Sequence, residues 1–389
     1  MEVPLQAALY HADCRVMPEI SDGSVDLVVT SPPYWLLKDY GSPGQIGFGQ
    51  SLHEYLRDLA RVWRECRRVL RHGGRLCINI GDQFARASLF GRYQVIPLHA
   101  EITCQCAELG FDCMGSIIWR KKTTLNTSGG AVIMGSYPYP PNGVVEIDFE
   151  HILLFRKPGA PPRPSPEVRA AAALTRDEWK GWFSGHWEVG GARKKGHDAP
   201  FPEEIPRRLI RMFSFPGDLV LDPFLGTGTT ARAALSLGRA AAGYEIRGEY
   251  LQAAREQAGP LREQLAVIVP RRARDAATGI EGETSTPRLP DLPAPPPQRP
   301  ARPAPQLHTV RAIEPDGRLR LDSGAVVGFL GIEIQDLEAA RRYLADRVLK
   351  KKVFLRDEDG PQARVILKNR ISVNAQLVKS GAAREASGR

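Results

Sequence analysis

What most constrains the fold is an alternation of short apolar runs, each ending on a loop, with segments whose apolar residues recur at helical intervals. Val25 to Thr30 (VDLVVT) is a β-branched apolar run halted by Ser31-Pro32-Pro33, which predicts a buried strand with a rigid loop at its end. From Leu52 to Leu70, the residues Leu52, Leu56, Leu59, Val62, Val69 and Leu70 have helical spacing with Arg and Glu between them. Gly73-Gly74 is expected to close that helix ahead of the strand RLCINI. A helix over about 94–109 and the strand SIIWR follow. After Phe201 come a helix in PFPEEIPRRLIRMF, a strand in DLVLD, a glycine-opened helix in GTGTTARAALSLG and a strand in AAAGYEI. The alternation predicts an α/β fold with a parallel, doubly wound sheet.

Two stretches interrupt it. Residues 121–196 are rich in glycine, proline and aromatics (YPYPPNG, WKGWFSGHW), with Arg193, Lys194 and Lys195 among them and one strand-like run, HILLFRK; they read as a large insertion. Residues 272–307 are proline-rich (PRLPDLPAPPPQRPARPAP), with little to bury, which predicts a semi-extended linker. Residues 1–271 then form the main domain. Residues 308–383 form a small β-rich module with a helix near 337–349, and 384–389 a tail. A chain of 389 residues with 42% hydrophobic residues has room for both.

Composition narrows the function classes. A formal net charge of +9 and a pI near 9.3 suit a polyanionic partner. The six cysteines lack paired C-x-x-C spacing, so reduced thiols, mostly buried, are expected and no metal is required. No apolar run is long enough to span a membrane and the start MEVPLQAALYHADC is not a signal peptide, which predicts a cytoplasmic protein.

The chemistry-bearing residues stand at two strand ends. An aromatic amine is a poor nucleophile because its lone pair is delocalised into the ring, so a catalyst must accept its hydrogens at converging acceptors. Pro32 and Pro33 remove two backbone donors and leave carbonyls to point into a site, Ser31 adds a hydroxyl acceptor, and Tyr34 offers a ring to an unstacked base. The second stretch is Asp222-Pro223-Phe224-Leu225-Gly226-Thr227-Gly228-Thr229-Thr230. Glycines between a strand and a helix let a ligand approach the backbone, and the helix N-terminus favours a carboxylate. It lacks the lysine of a phosphate loop. Glu245, about 20 residues on in GYEI, is placed to accept both hydroxyls of a ribose.

With those residues in view, the chain resembles the β-type amino-methyltransferases of DNA, in which an S-P-P-Y block precedes an F-x-G-x-G-T block and the target-recognition region lies between them. The resemblance covers residues 9–258 and includes LYHADC with Asp13, GGRLCINIGD with Asp82, SIIWRK, FEHILLFRK and HDAPFPEEIPRRLI. It implies a Rossmann-like S-adenosylmethionine-dependent methyltransferase with permuted motif order. Ser31, Pro32, Pro33 and Tyr34 would bind the target amine and base, with Asp82 beside them. Asp13, Asp222, Phe224, Gly226, Gly228, Thr229, Thr230 and Glu245 would form the cofactor side, with Phe201 and Pro202 closing over the methionine end. Ser at the head of the first block implies N4 of cytosine as acceptor, with N6 of adenine the competitor. No Pro-Cys dipeptide occurs, which excludes a cysteine-dependent C5 reaction.

The implied partners are double-stranded DNA with a flipped base and a cognate restriction endonuclease, for a monomer or homodimer with no membrane association. Residues 121–196 would read the DNA sequence, using basic side chains on phosphates and Asn, Arg or aromatics on bases. RNA or protein-amide methylation and a non-catalytic DNA-binding scaffold are the other readings. The C-terminal module is similar to a staphylococcal-nuclease-like OB barrel, through GRLRLDSGAVVGFLGIEI and VNAQLVKSGAAR. Gly328 and Ile334-Gln335-Asp336 depart from the nuclease pattern, which implies no phosphodiesterase centre, and Lys350 to Lys352 are candidates for phosphate contact.

Overall fold

The computed structural model describes residues 6–36, 39, 41–42, 44–85, 90–122, 141, 145–190, 202–270, 286–294, 307–368 and 371–386. The chain forms two compact units, Met1–Pro296 and Pro297–Arg389. In chain order the first contains β1 (Ala7–His11), β2 (Val25–Thr30), α1 (Leu52–Val69), β3 (Leu70–Ile80), β4 (Gln83–Ala85), β5 (Gln94–Ile96), α2 (Leu98–Glu108), β6 (Asp112–Lys122) and β7 (Phe149–Arg156). There follow α3 (Pro166–Ala171), α4 (Arg176–Trp182), β8 (His186–Gly190), α5 (Glu204–Phe213), β9 (Leu219–Asp222), α6 (Thr229–Ser236), β10 (Ala240–Glu245), α7 (Gly248–Gln257) and β11 (Leu265–Ile268).

Nine strands form one sheet in the order β11-β1-β10-β9-β2-β3-β7-β6-β8. Both its faces are covered. Val25 and Val28 of β2 pack with Leu56, Leu59 and Trp63 of α1 on one side; Leu27 and Val29 pack with Leu209 of α5 and Ala234 of α6 on the other. That is why VDLVVT has no polar face. Helix α1 starts where Ser51 accepts from the Glu54 amide and Glu54 returns a bond to the Ser51 amide, a reciprocal cap.

The sheet corrects the expectation of a purely parallel one. Strands β11, β1, β10, β9, β2 and β3 run parallel, but β7 is antiparallel to both β3 and β6. The run HILLFRK, read as part of an insertion, is β7, paired from Ile80↔His151 to Arg75↔Arg156 with β3. Strand β8 lies parallel to β6 at the sheet edge. The stretch 121–196 thus contributes two strands of the main sheet. Trp182 and Trp187 of its aromatic cluster are core residues, under the guanidinium groups of Arg207, Arg208 and Arg211, rather than free to touch bases. Residues 123–140, 142–144 and 191–201, among them Arg193, Lys194, Lys195 and Phe201, lie outside the described residues.

Gly73-Gly74 does not close α1. The helix ends at Val69 and runs straight into β3; the glycines serve a close approach, since a Cβ on Gly73 would meet Pro161 at 2.8 Å. Residues 286–294, within the stretch read as linker, dock on the first unit: Leu289 and Leu292 pack against its core and the Leu52 amide donates to the Leu292 carbonyl at 2.8 Å.

The second unit contains a closed barrel of β12 (Leu307–Ile313), β13 (Leu319–Leu321), β14 (Val326–Phe329), β16 (Lys352–Asp359) and β17 (Gln362–Leu367), in the order β12-β13-β14-β17-β16. Strand β15 (Ile332–Ile334) pairs with β18 (Ala383–Glu385), and helices α8 (Leu337–Arg347) and α9 (Val373–Lys379) complete the unit. Val310, Leu319, Leu344, Val353, Val365 and Leu377 form its own core. No helix among the described residues is long and apolar enough to cross a membrane, and all six cysteines are free thiols, Cys113 exposed and Cys104 half-buried.

Candidate active site

Four adjacent parallel strands, β1, β10, β9 and β2, deliver their C-terminal loops to one edge of the sheet, where α/β folds bind ligands. One cavity there is lined by Asp13 after β1, by Ser31, Pro32, Pro33 and Tyr34 after β2, by Asp222, Phe224, Gly226, Thr229 and Thr230 after β9, and by Glu245 at the end of β10. The proline loop and the glycine loop, nearly two hundred residues apart in sequence, therefore share one site. Asp222 is the joint. Fully buried, it accepts from Thr30 Oγ1 and Thr230 Oγ1, each at 2.7 Å, and from the Phe224 amide at 3.1 Å. Burial pushes its carboxyl up to about 6 against those donors. Thr30 immediately precedes Ser31, so one carboxylate ties both loops together.

On the glycine side, Gly226 and Gly228 occupy left-handed backbone, φ 54° and 75°. Gly228 caps α6, whose first residues, Thr229 and Thr230, line the cavity. Glu245 accepts the Gly226 amide at 3.0 Å and the Arg247 amide at 2.9 Å, and burial raises it to about 7. Two backbone donors leave that carboxylate further acceptor capacity. Phe224, Ile246 and Tyr250 add apolar wall. A nucleoside with a charged amino-acid tail fits this donor and acceptor set: hydroxyls to Glu245, a ring to the apolar wall, a carboxylate to the α6 terminus.

Asp13 lines the cavity with its carboxylate already engaged, and two other residues assigned to the cofactor side lie off its wall. The Asp13 carboxylate is held by Arg15, from its amide at 2.8 Å and Nε at 2.9 Å, and Arg15 reaches on to Asp58 at 2.6 Å. Gly228 does not line the cavity and neither does Pro202, which lies at the start of α5. Cys14, which the sequence reading passed over, lies in the wall, its thiol pushed well above the ordinary range by burial.

On the proline side, the Pro33 carbonyl already accepts from the Tyr55 hydroxyl at 2.9 Å. Pro32 accepts nothing from the described residues, and both Ser31 and Pro32 line the cavity, which makes the Ser31 hydroxyl and the Pro32 carbonyl the candidate acceptors for a substrate. The loop is strained just beyond: Leu36 has φ 59°, left-handed for a residue with a Cβ. Tyr34 donates its hydroxyl to Glu150 of β7, a buried carboxylate also bound by Asn79 of β3 and paired with Lys121 of β6. None of Asn79, Lys121 and Glu150 was singled out as a site residue by the sequence reading. The only available signal was their place within or beside apolar runs.

Asp82 points elsewhere. Its two oxygens lie 2.8 Å from Nδ1 of His99 in α2, and His99 stacks on His151 of β7 with ring centroids 3.9 Å apart. Burial and the neighbouring His99 lower the His151 pKa. Asp82, His99 and His151 have metal-ligand chemistry within 4.8 Å of one another, but parallel stacked rings aim their lone pairs side by side rather than at one point. Asp82 is absent from the cavity wall.

The comparisons agree with this geometry. A family model described as DNA methylase, of the N6/N4 methyltransferases, matches residues 25–256. The type II methyltransferase M.MjaI of Methanocaldococcus jannaschii is 38% identical over 276 residues, covering 63% of this chain and 89% of that one. M.MthZI of Methanothermobacter thermautotrophicus is 35% identical over 262 residues, 61% and 72% of the two chains. Among solved structures, the DNA modification methylase TTHA0409 of Thermus thermophilus, in complex with S-adenosyl-L-methionine, superposes with a TM-score of 0.56 at 39% identity, covering 69% of this chain and 100% of that one. Both loops of the shared cavity fall inside the matched region, and the chain belongs to the N6/N4 DNA methylase family.

Proposed function

We propose that this protein transfers the methyl group of S-adenosylmethionine to the exocyclic N4 of a cytosine flipped out of double-stranded DNA. The observation that carries the reading is the shared cavity: acceptors for an amine at Ser31 and Pro32 stand opposite a nucleoside-binding loop at Phe224 to Thr230 and Glu245. When bound, S-adenosylmethionine supplies an electrophilic methyl on a sulfonium. Glu245 and the α6 terminus hold the donor, and Tyr34 presents its ring to the base. Ser31 Oγ and the Pro32 carbonyl each accept a hydrogen bond from the amino group, which draws the nitrogen lone pair out of conjugation and towards the methyl, and the one amino proton displaced on transfer is lost to solvent. The remaining barrier falls through alignment of the two reactants in one cavity.

Cytosine is favoured over adenine by the resemblance alone, since Ser31 heads the S-P-P-Y block. Incubation with DNA and isotopically labelled S-adenosylmethionine, followed by mass spectrometry of the nucleosides, tests this directly. N4-methylcytosine is expected. N6-methyladenine alone would reassign the base, and no labelled nucleoside would overturn the reaction.

A further inference from the structure

Asn79, Glu150 and Lys121 meet behind the proline loop, and nothing in the reaction as described uses them. Glu150 is 4% exposed and Asn79 3%. The carboxylate of Glu150 receives three contacts: the Tyr34 hydroxyl, the Lys121 ammonium, and Asn79 Nδ2 at 2.6 Å. Such a carboxylate is retained in a core only with partners of this kind.

The Asn79 amide shows what the arrangement achieves. Only its NH2 can face a carboxylate, so Glu150 dictates the orientation, and the same Nδ2 lies 3.5 Å from Ser31 Oγ. The consequence falls on the other end: Asn79 Oδ1 is buried with no hydrogen-bond partner. A buried amide that leaves its carbonyl unpaired is not oriented for its own stability. Its N–H points at the serine oxygen, which turns the hydroxyl proton away and keeps a lone pair for an incoming amino hydrogen.

We propose that Glu150 is a positioning residue for methyl transfer. Through Asn79 it sets Ser31 as an acceptor, and through the tyrosine hydroxyl it sets the ring plane of Tyr34. Lys121 balances its charge. The inference rests on the reading of Ser31 and Pro32 as the amine site.

Glu150→Gln tests it in the full-length protein, together with Asn79→Asp/Glu150→Gln. The double variant restores a carboxylate-amide pair with its polarity reversed, so that a carboxylate rather than an N–H faces Ser31. Both are expected to keep S-adenosylmethionine affinity within about threefold while kcat on DNA falls by roughly tenfold or more, the scale of one positioned group. Target-base extrusion, read from 2-aminopurine fluorescence at the target position, is expected to persist in the double variant. Recovery of kcat by the double variant would overturn the proposal, because pairing alone would then suffice. So would a loss in Glu150→Gln no larger than its loss of folded protein. A wild-type protein inactive on DNA would instead sink the reaction itself, which keeps the two failures apart.

Discussion

Ser31 stands where a single hydroxyl has two possible uses, packing or accepting, and the residues around it separate them. The Pro33 carbonyl already accepts from Tyr55, so removal of the Ser31 oxygen leaves Pro32 as the acceptor without a partner among the described residues. We expect Ser31→Ala to lower kcat roughly 100-fold while S-adenosylmethionine affinity changes little; equal losses in single-turnover rate and in cofactor titration would contradict the role. Glu245 makes a pH prediction. Its carboxyl is raised by burial from 4.5 to about 7. The folded protein therefore binds this proton more tightly than the unfolded chain, and the resulting stability is full below pH 4.5 and lost as pH rises through 7, on the order of 3 kcal/mol. Ribose hydroxyls donating to the ionised form reverse the trend. Stabilisation by S-adenosylmethionine in thermal melts is expected to grow from pH 5.5 to 8 and to become flat in Glu245→Gln. Ser31, Pro32 and Tyr34 were legible in the sequence because proline geometry and a strand end are local. Glu150 was not, because its partners Tyr34 and Asn79 lie 116 and 71 residues away.

At the level of elements, the glycine loop works because a strand, a left-handed turn and a helix start follow within a few residues. Gly228 is the tightest point: at φ 75° a Cβ would lie 2.9 Å from that of Ala254 in α7. Gly228→Ala is expected to cost about 1–2 kcal/mol from backbone strain alone and to weaken cofactor binding by displacing the first turn of α6. Urea midpoints and a cofactor titration measure both, and an unchanged midpoint would falsify the account. Asp222 extends the logic between elements, joining Thr30 of β2 to Thr230 of α6. Its strand and its loop were readable from DLVLD and the glycines, but its bond to Thr30 was not, since nothing local says that β9 lies beside β2.

At the scale of the molecule, two units with separate cores make the catalytic one testable alone. Residues 1–296 are expected to methylate DNA in vitro, whereas residues 1–271, the boundary that composition indicates, lack Leu289 and Leu292 and the Leu292 carbonyl that accepts from Leu52. Comparative thermal melts should show the shorter piece lower by several degrees, as loss of two packed leucines requires; equal melting would place the edge of the unit back at 271. From the chain alone came the α/β alternation, the loops at the ends of β2 and β9, and the doubly buried character of VDLVVT, all properties that apolar period, proline and glycine impose within a dozen residues. Only the tertiary structure decided that β7 runs antiparallel inside the sheet, that Trp182 and Trp187 belong to its core, that part of the proline-rich stretch docks, and that Glu150 reaches the amine loop. Each of these depends on which distant segment becomes a neighbour, and one apolar run fits either a parallel or an antiparallel partner until the rest of the sheet is in place.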